Sequence, residues 1–254
     1  MNMLKSLIIA LAMYSKLPVP NIDWDEKNMR YAMCFFPVVG VIIGALVFGA
    51  GQLILRYTEC GKLFFAAVMT MIPVAVTGGI HLDGFADTID AVSSYKDREK
   101  KLEILKDPHT GAFAVIGLCA YFLITAALWS EMNLKTLSLA VGMYPISRAL
   151  SGLSVVSFRS AKSSGLLRTF QERADRKRTR IVLSIWLMSL AAGAIYIFRV
   201  QGAIIVTAAL LVFFYYYKMS FKQFGGITGD LAGYFLQICE LVMLTVVAFL
   251  GGIC

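Results

Sequence analysis

Three carboxylates in the run His81-Leu82-Asp83-Gly84-Phe85-Ala86-Asp87-Thr88-Ile89-Asp90 recur at i, i+4 and i+7. On a helix that spacing stacks them on one face, where each like-charge pair costs about a few tenths of a kcal/mol unless something neutralises it. A divalent cation does so, and hard oxygen ligands suit Mg²⁺ far better than Zn²⁺, which prefers Cys or His. Asp83, Asp87 and Asp90 are therefore candidate metal ligands; the plainer reading is a solvated acidic face just outside a bilayer. The apolar neighbours Ile80, Leu82, Phe85, Ala86 and Ile89 predict an element that is partly buried, where unpaired carboxylates are costly. His81, two residues before the first carboxylate, reads either as a general base or as a hydrogen-bond donor at the end of a span.

Other polar groups could join this cluster. Gly78, Gly79 and Gly84 allow a phosphate or nucleotide to approach the backbone closely, although glycine is also common at helix ends. Asp107, in Leu105-Lys106-Asp107-Pro108-His109-Thr110-Gly111, is either a further oxygen ligand or the turn into the next span. The run Gly225-Gly226-Ile227-Thr228-Gly229-Asp230 repeats the Gly-Gly-Ile opening of Gly78-Gly79-Ile80, each with an Asp five positions after its first glycine. Asp230 is a candidate for the same cavity. Arg148 and Glu240 fall within apolar segments, where charge must face a bundle interior or a wet cavity. They are read as partners of each other, or Arg148 as a phosphate contact. Arg159, Lys162 and Arg168, interspersed with Ser160, Ser163, Ser164 and Gly165, have the make-up of an anion-binding loop.

The elements that must position these groups are membrane spans. With 58% apolar and 16% charged residues the chain is too poor in polar groups to cover a water-facing surface. Seven runs are long and apolar enough to suggest spans: Phe35 to Leu55, Leu63 to Ile80, Ala112 to Ser130, Thr136 to Phe158, Ile181 to Phe198, Gly202 to Tyr217 and Leu231 to Ile253. Met1 to Leu17 carries a short apolar run between Lys5 and Lys16 with no small-residue cleavage site before Pro18. It is expected to be an interfacial amphipathic helix and not a signal peptide. The expected fold is all-α, a polytopic membrane bundle of about seven spans in a single domain over residues 1–254.

Seven spans place 19 of the 24 Lys and Arg on the side of the N-terminus and four on the other. That asymmetry predicts a cytoplasmic N-terminus and cytoplasmic loops at about 81–107 and 159–180. The net charge of +8 is then largely topological, and nucleic acid loses its claim as a partner. Cys34, Cys60, Cys119, Cys239 and Cys254 have no paired spacing, so no disulfide framework is expected.

Together, His81 to Ala91, the Asp107 to Gly111 turn, Gly226 to Asp230 followed by Glu240, and Lys16-Leu17-Pro18-Val19-Pro20 resemble the cobalamin synthase family, the adenosylcobinamide-GDP ribazoletransferases of bacteria and archaea. Nearly the whole chain is covered. One departure stands at Asp107-Pro108-His109-Thr110-Gly111, where the family usually has Asp-Ser-Arg-x-Gly. The resemblance implies a Mg²⁺-dependent transferase of the cytoplasmic membrane, with its site facing the cytoplasm. Its substrates would be adenosylcobinamide-GDP and α-ribazole or its 5′-phosphate, and its products adenosylcobalamin or its 5′-phosphate and GMP. On this reading Asp83, Asp87 and Asp90 hold the metal, and His81 is a candidate base. Asp107, Arg148, Arg159, Lys162 and Asp230 contact substrate; a homo-oligomer is left open. Two other classes share features: a CDP-alcohol phosphotransferase, whose motif has an Ala-Arg pair and longer spacing absent here, and a secondary transporter built around Arg148 and Glu240.

Overall fold

The computed structural model describes residues 3–162 and 166–251. Ser163, Ser164 and Gly165 of the expected anion loop, the end of the last expected span and Cys254 lie outside the described residues. The described chain is helical. An N-terminal helix α1 (Met3–Tyr14) and a single turn α2 (Glu26–Met29) lead through a 3-10 turn at Ala32–Phe35 into α3 (Phe36–Tyr57). Then follow α4 (Lys62–Thr77), α5 (Ile80–Ser93), α6 (Arg98–Ile104), α7 (Ala112–Ser130), α8 (Leu134–Ala140), α9 (Met143–Ser157), α10 (Leu166–Arg173), α11 (Arg176–Phe224) and α12 (Gly229–Gly251).

Five of these segments are long and apolar enough to cross a membrane; α4 and α5 reach that length only together, and the chain bends by 97° between them, so α5 turns away from the line of α4. One of the five, α11, has 49 residues and would reach about 74 Å if straight, more than twice a hydrocarbon core. It is not straight. Arg199 takes φ 51 and ψ −125, and Gly202 comes back against the carbonyl of Ala194, eight residues earlier, so the two arms fold into a hairpin. The expected spans Ile181 to Phe198 and Gly202 to Tyr217 fall on either side of this reversal. The chain is a multi-pass helical membrane protein, and its exposed apolar side chains, such as Leu63, Leu123, Ile197 and Phe249, lie on the outer faces of these helices.

The expected span Thr136 to Phe158 is two pieces, α8 and α9, separated at Val141 and Gly142. Thirteen of the 15 residues of α9 are buried, which makes it the central helix. It is packed by α3, α11 and α12. Its approach to α3 depends on small residues four apart, as membrane helix pairs commonly do. A Cβ at Gly40 would stand 2.5 Å from the Tyr144 carbonyl oxygen, and one at Gly44 would stand 2.8 Å from that of Val141.

The turn that delivers the carboxylates is a pair of left-handed glycines. Gly78 (φ 65) closes α4, with its N–H donating to Val74, and Gly79 (φ 78) opens α5. A side chain at either position would be strained in that region. The turned helix α5 then packs along α12 and α7. Gly84 permits this, since a Cβ there would lie 2.7 Å from the Asp230 carbonyl oxygen and 2.8 Å from its Cα. Gly84→Ala is expected to push α12 away and destabilise the protein by about 1–3 kcal/mol, measured as a lower Tm in detergent. An unchanged Tm would mean that α5 and α12 do not meet as described.

A candidate active site at one end of the bundle

A cavity of about 270 Å³ opens where α1, α5, α9, α10 and α12 meet. Asp83, Lys162 and Asp230 line its polar part, with Ser160, Thr228 and Arg168. These residues come from three stretches of sequence, and a backbone staple joins two of them. Ile227 N–H donates to the Arg159 carbonyl at 2.9 Å and Ala161 N–H donates to the Ile227 carbonyl at 2.8 Å, forming an isolated parallel bridge of Ser160 with Ile227. The staple sets Lys162 Nζ 3.3 Å from Asp230 Oδ2. The Thr228 hydroxyl also donates to Asp230 Oδ2 at 3.2 Å and accepts from the Leu231 N–H, capping the first turn of α12.

Along α5, Asp83 is exposed to the cavity and Asp87 is half-buried one turn on. Burial, then the charges of Asp83 and Asp230, push the Asp87 carboxyl up to about 6, with Lys162 opposing and Asp90 adding. The sequence spacing therefore does place like charges together, and Asp230 joins them from α12. Among the described residues no three His, Cys, Asp or Glu side chains are yet close enough to enclose a metal ion. The donors still suit one. They are hard oxygens, and Mg²⁺ keeps several waters and is commonly held by one or two carboxylates plus substrate phosphates. Asp90 is engaged differently: its carboxylate lies against Gly111 at the start of α7, where a side chain would collide with it and the helix N-terminus favours negative charge.

His81 lines the same cavity but is 6% exposed, beside the rings of Tyr14 and Phe36. Burial and the Arg148 charge lower its imidazole to about 3, so it is neutral at physiological pH and a weak base. Its Nε2 is buried without a partner among the described residues.

The remaining sequence candidates stand elsewhere. Asp107 is exposed and accepts from the His109 N–H at 2.9 Å, with His109 Nδ1 at 2.7 Å; these bonds hold its carboxyl below the usual range. It builds the turn that presents Gly111. The guanidinium of Arg159 donates to the Gly225 carbonyl at 2.9 Å, tying the C-terminus of α11 to the loop. Arg148 is fully buried in α9 and paired with Glu240 of α12. Ser147 donates to the same Glu240 oxygen at 2.7 Å, and Arg148 Nη1 donates to the Tyr144 carbonyl at 3.2 Å. Of the two readings of Arg148, the pairing with Glu240 is the contact present. Tyr14, Phe36, Ser151 and Thr228 line the cavity without having been singled out in the sequence; only Thr228, inside the Gly225 to Asp230 run, had a local signal.

Fold and site together define a multi-pass membrane protein in which carboxylates and a lysine converge on one cavity at an end of the bundle. The chain belongs to the cobalamin-5-phosphate synthase family, whose model matches residues 6–248. It is similar to an adenosylcobinamide-GDP ribazoletransferase of Lachnoclostridium phytofermentans, 44% identical over 253 residues that cover 100% of this chain and 97% of the relative. Proteins of the same description from Clostridium botulinum strain Eklund 17B and from Treponema denticola are 36% and 32% identical, covering 95% and 98% of this chain and 96% and 99% of theirs. No solved structure matches.

Proposed function

We propose that this chain joins adenosylcobinamide-GDP to α-ribazole or its 5′-phosphate, releasing GMP, as the last step of nucleotide loop assembly in cobalamin biosynthesis. The observation that carries the reading is the meeting of Asp83, Asp230 and Lys162 at one cavity, with Asp87 close enough to feel the charge of all three, in a chain similar over its whole length to proteins described as ribazoletransferases. A ribose hydroxyl oxygen bonds to the phosphorus attached to cobinamide. The P–O bond of the diphosphate bridge breaks, and GMP departs with the bridging oxygen. The hydroxyl proton passes to a carboxylate of this group.

Lys162 holds phosphate oxygen, and its ion pair with Asp230 keeps the ammonium at the cavity mouth before substrate arrives. Asp83 and Asp87 would hold Mg²⁺, with Asp90 joining them only if its carboxylate leaves the start of α7; when bound the ion supplies positive charge to the diphosphate and its leaving group. The Lys and Arg asymmetry of the loops supports a cytoplasmic mouth in the cell membrane, within reach of soluble nucleotide.

Purified protein given both substrates and Mg²⁺ is expected to release GMP in equal amount to the cobalamin product and to stop when Mg²⁺ is chelated. Absence of GMP with fully folded protein would overturn the assignment. Lys162→Ala is expected to lower kcat/KM for adenosylcobinamide-GDP by about a hundredfold, with little change in Tm because the side chain is partly exposed. Kinetics indistinguishable from the parent would remove Lys162 from the phosphate site.

The raised carboxyl of Asp87 also predicts a pH effect. Its folded value of about 6 lies above the ordinary 3.8, so the metal-free protein gains stability as pH falls from about 6 towards 4, where the folded state binds the extra proton. Mg²⁺ competes with that proton. Its stabilisation of the protein, read as a rise in Tm, should therefore shrink between about pH 7.5 and pH 5. A Mg²⁺ response that is flat over this range would mean that the ion binds elsewhere.

A further inference from the structure

The cavity is two-sided in its chemistry. Its mouth carries Asp83, Lys162 and Asp230, whereas its inner wall is Tyr14, Phe36, Met33, Val155 and Leu236. Tyr14 and Phe36 have ring centroids 4.3 Å apart, and the imidazole of His81 lies 6.2 and 5.9 Å from them, so three rings form one side. The same cavity is also lined from α9 by the small side chains of Ser151 and Val155. At about 270 Å³ the cavity falls just below the usual range of small-molecule sites. A corrinoid ring system is several times too large for it, but a bicyclic aromatic base carrying one pentose is of the right order. His81 Nε2, buried in this wall and without a partner among the described residues, is a polar group that an occupant with a ring nitrogen or hydroxyl would satisfy.

We infer that the inner part of this cavity is the acceptor subsite: the planar base of the ribazole packs against Tyr14 and Phe36 with its polar edge on His81, and its ribose points out towards Asp83 and Lys162. The larger corrinoid then stays outside, at the membrane surface, and only its diphosphate reaches the mouth. Three elements consequently set which base is accepted. Tyr14 is the last residue of α1, and the Lys16 N–H donates to the Val76 carbonyl at 2.7 Å, so the N-terminal helix is fastened to the end of α4 as one wall of the subsite. Phe36 opens α3 and Val155 lies on α9. His81 acts here by binding the base.

This inference rests on the proposed transferase reaction, and its test separates the two. The wild type, Val155→Phe and Tyr14→Ala are assayed for GMP release with each substrate varied in turn. Val155→Phe, which fills the subsite, is expected to raise the KM for α-ribazole by about tenfold or more while the KM for adenosylcobinamide-GDP stays within about twofold. Tyr14→Ala, at the helix end and independent of the packing of α9, is expected to raise the same KM and to shift preference towards bulkier bases. If the wild type makes GMP but neither variant moves the acceptor KM, or both move only the KM for adenosylcobinamide-GDP, the subsite assignment is wrong and the reaction stands. If the wild type makes no GMP, the reaction itself is wrong.

Discussion

Asp87→Asn is expected to lower GMP release by at least about a hundredfold while the protein still inserts and folds. The substitution keeps the shape of the side chain, and the half-buried Asp87 carboxylate on α5 accepts no hydrogen bond from the described residues. What it removes is one negative charge from a place where Asp83, Asp230 and Asp90 already repel it. Two signatures should accompany the loss. The Tm without Mg²⁺ should stay level or rise, because a repulsion is relieved, and the rise in Tm on adding Mg²⁺ should fall away. A mutant that is inactive only because it unfolds would lower the first and leave the second undefined. Unchanged product formation would sink the metal assignment.

The second large effect concerns stability and not turnover. Glu240→Ala leaves the Arg148 guanidinium fully buried with, among the described residues, hydrogen bonds only to Ser147 and the Tyr144 carbonyl and no carboxylate. Breaking one side of a buried ion pair costs about 3–5 kcal/mol, and Arg148→Met should cost a similar amount by stranding the carboxylate. The double change Arg148→Met with Glu240→Leu should recover most of the loss, since two apolar residues of similar volume leave no charge in the bundle. Thermal unfolding of the three variants in detergent reads this directly. Should Arg148→Met instead keep its Tm and raise the KM for the diphosphate substrate, Arg148 would be a phosphate contact.

What could be read without coordinates follows a physical line. The spans were legible because apolar runs of that length have few other uses, and the reversal at Arg199 lies between two separate apolar runs, Ile181 to Phe198 and the shorter Gly202 to Tyr217. The α5 carboxylates were legible because helical periodicity is local. The roles of the cations were not. Arg159 and Lys162 are three residues apart and chemically alike, yet one is spent on the Gly225 carbonyl and the other faces the cavity, and only the backbone staple between residues 159–161 and Ile227 separates them. Arg148 and Glu240 lie 92 positions apart, so neither sequence nor spacing could choose between a pair and a substrate contact. Tyr14 was hidden for another reason: an apolar interfacial helix reads the same whether its end lies on lipid or closes a cavity.

The central claim is that the diphosphate is bound by a cation held on α5 beside Lys162. It is tested most directly by putting Mn²⁺, which prefers the same oxygen ligands, in place of Mg²⁺ and recording the electron spin spectrum of the protein with adenosylcobinamide-GDP bound. Phosphorus hyperfine coupling to the protein-bound Mn²⁺ is expected in the parent, and its loss in Asp87→Asn. The same coupling in both proteins, or none in an active parent, would contradict it.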